Sequence, residues 1–342
     1  MNRFFTALTT LTVTVLTLTA MLPISGMSAD KLPAEKAGEI GEPAGKVAFL
    51  REGNVWMIDV QSGQQDKVCE VGNANGRLTW SPDGREILFT RRGQTSYDSP
   101  TGGEGGQHRL YDLFIASLDS VYANNRLFWR RITNNLGSRE PEWSADDSQI
   151  VFYRDLNAGV VDAIMPNYQI CTMNPDGSDL TILRKDYANP GDEFLVTPSI
   201  RADGTIACVY FTELKPMGLL TIGPDEYMKR MDSLKERAKK NAQCVAPRWS
   251  PDGNWIAYIS TDMDANGLYL ASADLSQKYL VFAAPAGAFV TTVTPSFSPD
   301  GKWLTFSTTD GSVWICDITG NGARRLCGPG MNTAPAWSKT TD

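Results

Sequence analysis

A single histidine, His108, occurs in 342 residues. Metal centres built on several histidines are thereby excluded, and any charge-relay triad would have to run through that one side chain. Basic residues are in the minority, with 32 Lys and Arg against 39 Asp and Glu, a net charge of −7. A nucleic-acid or anionic-membrane binder needs a basic face that releases counterions, and this balance argues against both. The six cysteines form no C-x-x-C unit, which leaves no sign of a zinc or redox motif. No G-x-S-x-G nucleophile elbow is present, so a peptidase of the α/β-hydrolase kind is not supported. After residue 29 no apolar run approaches the ~20 residues a membrane helix requires.

The first 29 residues differ from the rest. Arg3 is the only charge before Asp30, and an apolar, Thr-rich stretch runs from Phe4 to Ile24. Pro23 interrupts it, and Ser25, Gly26, Ser28 and Ala29 supply small residues for cleavage. This pattern predicts a cleaved export signal over 1–29, and hence a periplasmic or secreted protein with no membrane span after cleavage. Residues 30–45 are polar and rich in Pro, Gly and Ala, and read as a short linker.

What is present in abundance is one phrase. Its copies are LTWSPDGREILFT (78–90), PEWSADDSQIVFY (141–153), PSIRADGTIACVY (198–210), PRWSPDGNWIAYI (247–259), PSFSPDGKWLTFS (295–307) and a truncated PAWSK (335–339). Pro stands two positions before the central residue in five of the six copies. It lacks an N–H and is tolerated at the start of a strand. Ser-Pro-Asp-Gly then reverses the chain, because Pro pre-sets φ and Gly accepts a positive φ. Alternating apolar strands follow, giving four antiparallel strands per unit of about 40 residues, the arithmetic of a propeller blade. The ends are complementary. Residues 55–69 match 313–327 position for position, so the N-terminal piece carries outer strands without an inner one. Ala334–Ser338 is an inner strand without outer ones. The predicted fold class is all-β: a six-bladed β-propeller over 46–342, closed by its N- and C-terminal strands.

The P-x-[W/F]-S-P-D-G phrase resembles the WD40-like (PD40) repeat of the TolB C-terminal propeller family. That repeat also occurs in the propeller domains of tricorn-type and prolyl-oligopeptidase-type peptidases. The resemblance spans 46–342 and implies the fold more than an activity.

Several segments invite a chemical reading. Asp83, Asp252 and Asp300 recur on the turns, where each is expected to stabilise its own reversal. Asp262, Asp264 and Asn266 resemble the opening of a calcium loop, but the twelfth position, a bidentate Glu in such loops, is Ala273. Asn266-Gly267 is equally a hairpin signal. Cys316 and Cys327 flank one hairpin at near-matching distances from its turn, which suggests a cross-strand disulfide; small buried hydrophobes are the alternative. Gly223–Asn241 predicts one inserted helix, with Tyr227, Met231, Leu234 and Ala238 as its apolar stripe.

The repeat is also asymmetric. Long insertions separate the second and third strands in two consecutive blades, at 93–109 and 155–167, whereas the same connections in the last two blades are minimal. Such connections emerge on one propeller face, and loops on a rigid scaffold commonly bind ligands. Arg91, Arg92, Tyr97, His108, Arg109, Arg154 and Asp155 are the polar groups expected there. The reading is a monomeric, exported, non-catalytic propeller that binds an envelope protein or peptide and needs no cofactor. The alternative is a propeller lyase or glycoside hydrolase acting on polysaccharide. One histidine does not supply the histidine-rich site of the lyase, while a glycosidase needs two carboxylates facing a pocket.

Overall fold

The Ser-x-Asp phrase folds as its side chains dictate. Ser81 Oγ donates to Asp83 at 2.6 Å, Asp83 accepts the Arg85 N–H at 3.0 Å, and Ser81 Oγ accepts the Glu86 N–H at 2.9 Å. The same arrangement recurs at Ser144–Asp146, Ser250–Asp252 and Ser298–Asp300. These carboxylates are consumed by their own turns and form no ring of acids.

The structure is a computed structural model that describes residues 30–93, 110–119, 129–158, 166–183, 194–211, 217–224, 228–231, 243–260, 266–284 and 288–339. A one-turn helix α1 (Ala34–Ala37) precedes β1 (Lys46–Arg51), β2 (Asn54–Asp59) and β3 (Gln65–Cys69). The first complete blade is β4 (Ala74–Trp80), β5 (Glu86–Arg92), β6 (Tyr111–Ser117) and β7 (Trp129–Arg131). The second is β8 (Ser138–Trp143), β9 (Ile150–Asp155), β10 (Tyr168–Met173) and β11 (Thr181–Ile182). The third is β12 (Phe194–Ile200), β13 (Ile206–Phe211), β14 (Gly218–Ile222) and β15 (Met228–Met231). The fourth is β16 (Cys244–Trp249), β17 (Trp255–Ser260), β18 (Gly267–Ser272) and β19 (Lys278–Ala283). The fifth is β20 (Ser296–Phe297), β21 (Trp303–Ser307), β22 (Val313–Asp317) and β23 (Arg324–Cys327).

The sixth blade joins the two ends of the chain. β24 (Asn332–Trp337) pairs antiparallel with β1, setting Val47 opposite Trp337 and Ala48 opposite Ala336, and β2 and β3 complete the sheet. Trp80, Trp143, Trp249, Phe297 and Trp337 all end innermost strands, as the repeat predicts. The core lies between blades. Leu88 and Ile115 of the first pack with Trp143 and Phe152 of the second. Val55 and Met57 of the sixth pack with Phe89 and Phe114 of the first. Each such large side chain, fully buried, contributes roughly 1.5–3 kcal/mol.

The short segment 30–45 lies fastened against the propeller: Leu32 and Ala37 are buried, and Asp30 O accepts the Leu280 N–H at 2.9 Å. The indoles of Trp303 and Trp337 donate to Gly41 O and Ala44 O at 2.9 and 3.0 Å. Within the expected helix, Met228–Met231 instead runs as a fourth strand paired with β14, because the open edge of that blade satisfies its backbone. Residues 225–227 and 232–241 of the expected helix lie outside the described residues. The Cys316–Cys327 bridge is absent and both thiols are free. Cys327 stands opposite Val313, and Cys316, three residues farther along, pairs with Leu304. That offset is about 10 Å of strand. The two side chains also enter different cores. Among the described residues no helix is long and apolar enough to cross a membrane.

Candidate binding surface

The innermost strands of the first four blades each carry a bulge at the same height, between Asn75 and Leu78, Arg139 and Glu142, Val196 and Ser199, and Val245 and Arg248. Each bulge holds one residue at positive φ: Gly76 (71°), Glu140 (50°), Thr197 (50°) and Ala246 (57°). Bulges re-aim side chains, and here they turn polar groups toward the propeller axis. Arg77, only 1 % exposed, crosses that axis. Its guanidinium meets Glu142 of the second blade at 3.0 Å and also donates to Pro198 O of the third. It reaches Pro247 O of the fourth at 3.4 Å and Thr294, which leads into the fifth, at 3.0 Å. Glu142 also pairs with Arg248 at 3.0 Å and accepts the Ser199 hydroxyl at 3.1 Å. Burial pulls the Arg77 pKa below its ordinary value, with Glu142 opposing. Glu140 accepts the Arg77 backbone N–H at 3.1 Å, and burial raises its carboxyl above the usual range, with Arg77 opposing. A side chain on Gly76 would collide with that carboxylate.

None of Arg77, Glu142, Ser199 or Arg248 was singled out by sequence motif. A signal existed for three of them. Glu142, Ser199 and Arg248 occupy the position between Pro and the central residue of the repeat, and polar residues there are unexpected on a buried strand.

The rim of one face is built by the bases of the two long connections. Gly93 N–H donates to Leu110 O at 2.8 Å, closing the base of the first. Tyr111 N–H donates to Leu136 O at 2.8 Å, and Asp155 N–H to Gly137 O at 3.1 Å. Leu156 N–H donates to Asn167 O at 2.8 Å, closing the base of the second. Residues 136–137 therefore stitch the two bases together. A Cβ on Gly137 would run into Asp155 O and Ala158, so only glycine permits this approach.

Arg91 and Arg92 end β5, and Arg154 and Asp155 end β9, the equivalent position of the next blade. Arg91 lies over the Trp129 ring at 4.9 Å, and Arg139 of β8 lies over Tyr111 at 3.9 Å. Tyr153, Tyr168, Phe194 and Phe211 continue as a chain of ring contacts from the second blade to the third, with centroids 5.1–6.0 Å apart. Burial raises the Tyr168 hydroxyl above its usual pKa, with Arg139 opposing. Asp155 caps its own connection, accepting the N–H groups of Asn157 and Asn167 at 3.0 and 2.8 Å. Tyr97, His108 and Arg109 lie outside the described residues, as do Asp262 and Asp264. Asn266 Oδ1 accepts the Val290 N–H at 3.0 Å, a structural use of that oxygen. Among the described residues no group of three or more His, Cys, Asp or Glu is placed to hold a metal ion.

Residues 276–317 match the family described as WD domain, G-beta repeat. No curated protein matches the chain in sequence. Among solved structures, TolB from Acinetobacter baumannii superposes with a TM-score of 0.61 at 16% identity, covering 86% of this chain and 66% of that one. A putative TolB from Agrobacterium tumefaciens gives 0.58 at 14% identity, covering 84% and 90%. A chain of the nidogen/laminin complex gives 0.57 at 9% identity, covering 86% and 98%. At these identities the likeness is one of fold: the chain is a six-bladed β-propeller similar in architecture to these structures.

Proposed function

We propose that this protein is an exported, non-catalytic propeller that captures an envelope protein or peptide on the rim shared by its first two blades. The observation that carries this reading is the stitching of both long connections to one site by residues 136–137. The bases of two insertions fixed to one rigid rim place both on the same part of the scaffold, and loops carried in this way are suited to recognition. The nidogen/laminin neighbour supports the same use, because the matched chain is 98% covered and was solved in a complex of two named proteins. The carboxylates beside the axis are engaged rather than poised over a pocket: Glu142 by two arginines and a serine, Glu140 by the Arg77 backbone.

Replacing 94–109 by a two-residue turn tests the proposal. The Gly93–Leu110 hydrogen bond already closes the base, so the shortened hairpin continues the existing register. Capture of partners from an envelope extract is expected to be lost while the thermal midpoint stays unchanged. Retained capture contradicts the reading.

A further inference from the structure

The rim has an unequal allocation of charge. Its carboxylates are committed: Asp112 to Arg131 at 2.5 Å and Thr133 at 2.8 Å, Glu140 and Glu142 to the axial cluster, and Asp155 to two backbone N–H groups. Arg131 and Arg139 are committed as well, and Arg91 lies over the Phe114 and Trp129 rings, whereas Arg92 and Arg154 have no such engagement among the described residues. Among the described residues Arg91, Arg92 and Arg154 have no carboxylate within ion-pair distance. All three are half-buried, and the Nε atoms of Arg91 and Arg154 are buried with no hydrogen-bond partner. On a chain of net charge −7, the Arg92 and Arg154 guanidinium groups, with no ion-pair partner among the described residues, form a local excess of the opposite sign at one rim.

Their spacing selects a ligand. Arg92 pairs with Tyr111, Tyr111 bridges Gly137, and Gly137 O receives the Asp155 N–H beside Arg154. Three lateral strand steps of about 4.8 Å therefore place these backbones within about 15 Å of each other. In an extended peptide, side chains on one face repeat every second residue, so positions i and i+4 stand about 13.6 Å apart. Carboxylates at that spacing can each take a guanidinium in the two-pronged geometry arginine favours. We propose that this rim binds an extended acidic segment of a partner protein, with Arg92 holding one carboxylate and Arg154 the next. The inference rests on the protein-capture reading above.

The test uses a fluorescein-labelled decapeptide of Thr and Val with two aspartates four positions apart, followed by anisotropy against the full chain. Changing both aspartates to asparagine is expected to weaken binding at least tenfold. Arg92→Gln and Arg154→Gln are each expected to weaken it about tenfold, a change that loss of a charge-assisted pair accounts for. Arg325→Gln, whose native partner is Asp310 in the fifth blade, should leave it unchanged. Equal binding of the aspartate and asparagine peptides overturns the proposal. So does binding insensitive to Arg92→Gln and Arg154→Gln, or full displacement by inorganic phosphate, which would mark a single-anion site. Partner capture separates the two claims. If loop replacement abolishes capture and the arginine variants do not, the acidic-segment inference falls and the surface reading stands. If loop replacement has no effect, both fall.

Discussion

The indole N–H of Trp80 donates to the carbonyl of Ala336 at 3.0 Å, linking the first complete blade to the last strand of the chain. Trp337, one residue on, donates its own indole to Ala44 O and its backbone N–H to Ser296 Oγ, both at 3.0 Å. The central tryptophans of two copies of the repeat thus hold the ring at its seam.

Trp337→Ala is expected to lower stability by about 3–5 kcal/mol, the range for deleting a buried aromatic side chain. Chemical denaturation reads the loss. A change under about 1 kcal/mol would mean that the seam carries little of the fold's stability.

The axial cluster predicts a second loss. Glu142→Ala leaves Arg77 and Arg248 buried without their shared carboxylate, and breaking a buried pair this way costs about 3–5 kcal/mol. Glu142→Gln keeps an acceptor for Ser199 and should lose less. Urea midpoints for the two variants check the order, and equal midpoints would show that the charge itself is unimportant.

The architecture was legible because turn chemistry repeats. Ser, Pro, Asp and Gly each have a local reason for their place, and those reasons hold in every copy that retains them. The rest was decided by tertiary pairing. Met228–Met231 lies within a helical stripe in sequence, yet the open edge of β14 outweighs that periodicity. Equal distances of Cys316 and Cys327 from a turn suggested a bridge, but the register shift at Val313/Trp314 and the alternation of side chains separate them. At the rim, Arg91, Arg92, Arg154 and Asp155 were readable as the bases of unusual insertions. Arg77 was not, because its role depends on acceptors from four other blades.

Acid should act through the turns. Hydrogen bonds from Ser81 and Ser144 hold Asp83 and Asp146 below the usual carboxylate range, and those from Ser272 and Ser276 bring Asp274 to about 2. A depressed folded-state pKa contributes stability that is complete above the unfolded value, near 3.9, and is lost as pH falls through the folded value. Burial raises Glu86 and Glu140, which has the opposite sign and offsets part of the loss as acidification begins. Stability should therefore change little from neutral pH to about 4 and fall below it. The Ser81→Ala, Ser144→Ala double variant should show a shallower acid limb, and an unchanged limb would contradict this assignment.

No disulfide joins the six cysteines, all of them buried, and burial pushes the thiols of Cys69 and Cys171 up to about 11 and 12. The native protein should resist thiol reagents at pH 8 and release all six under non-reducing denaturation. Fewer than six would reveal a disulfide.

Hydrogen–deuterium exchange with and without a captured partner addresses the binding surface most directly. Protection is expected at 91–93, 110–112, 136–139 and 153–156, the stitched rim. Protection confined to the opposite face, at the turns 81–86, 144–149 and 250–255, would contradict the account.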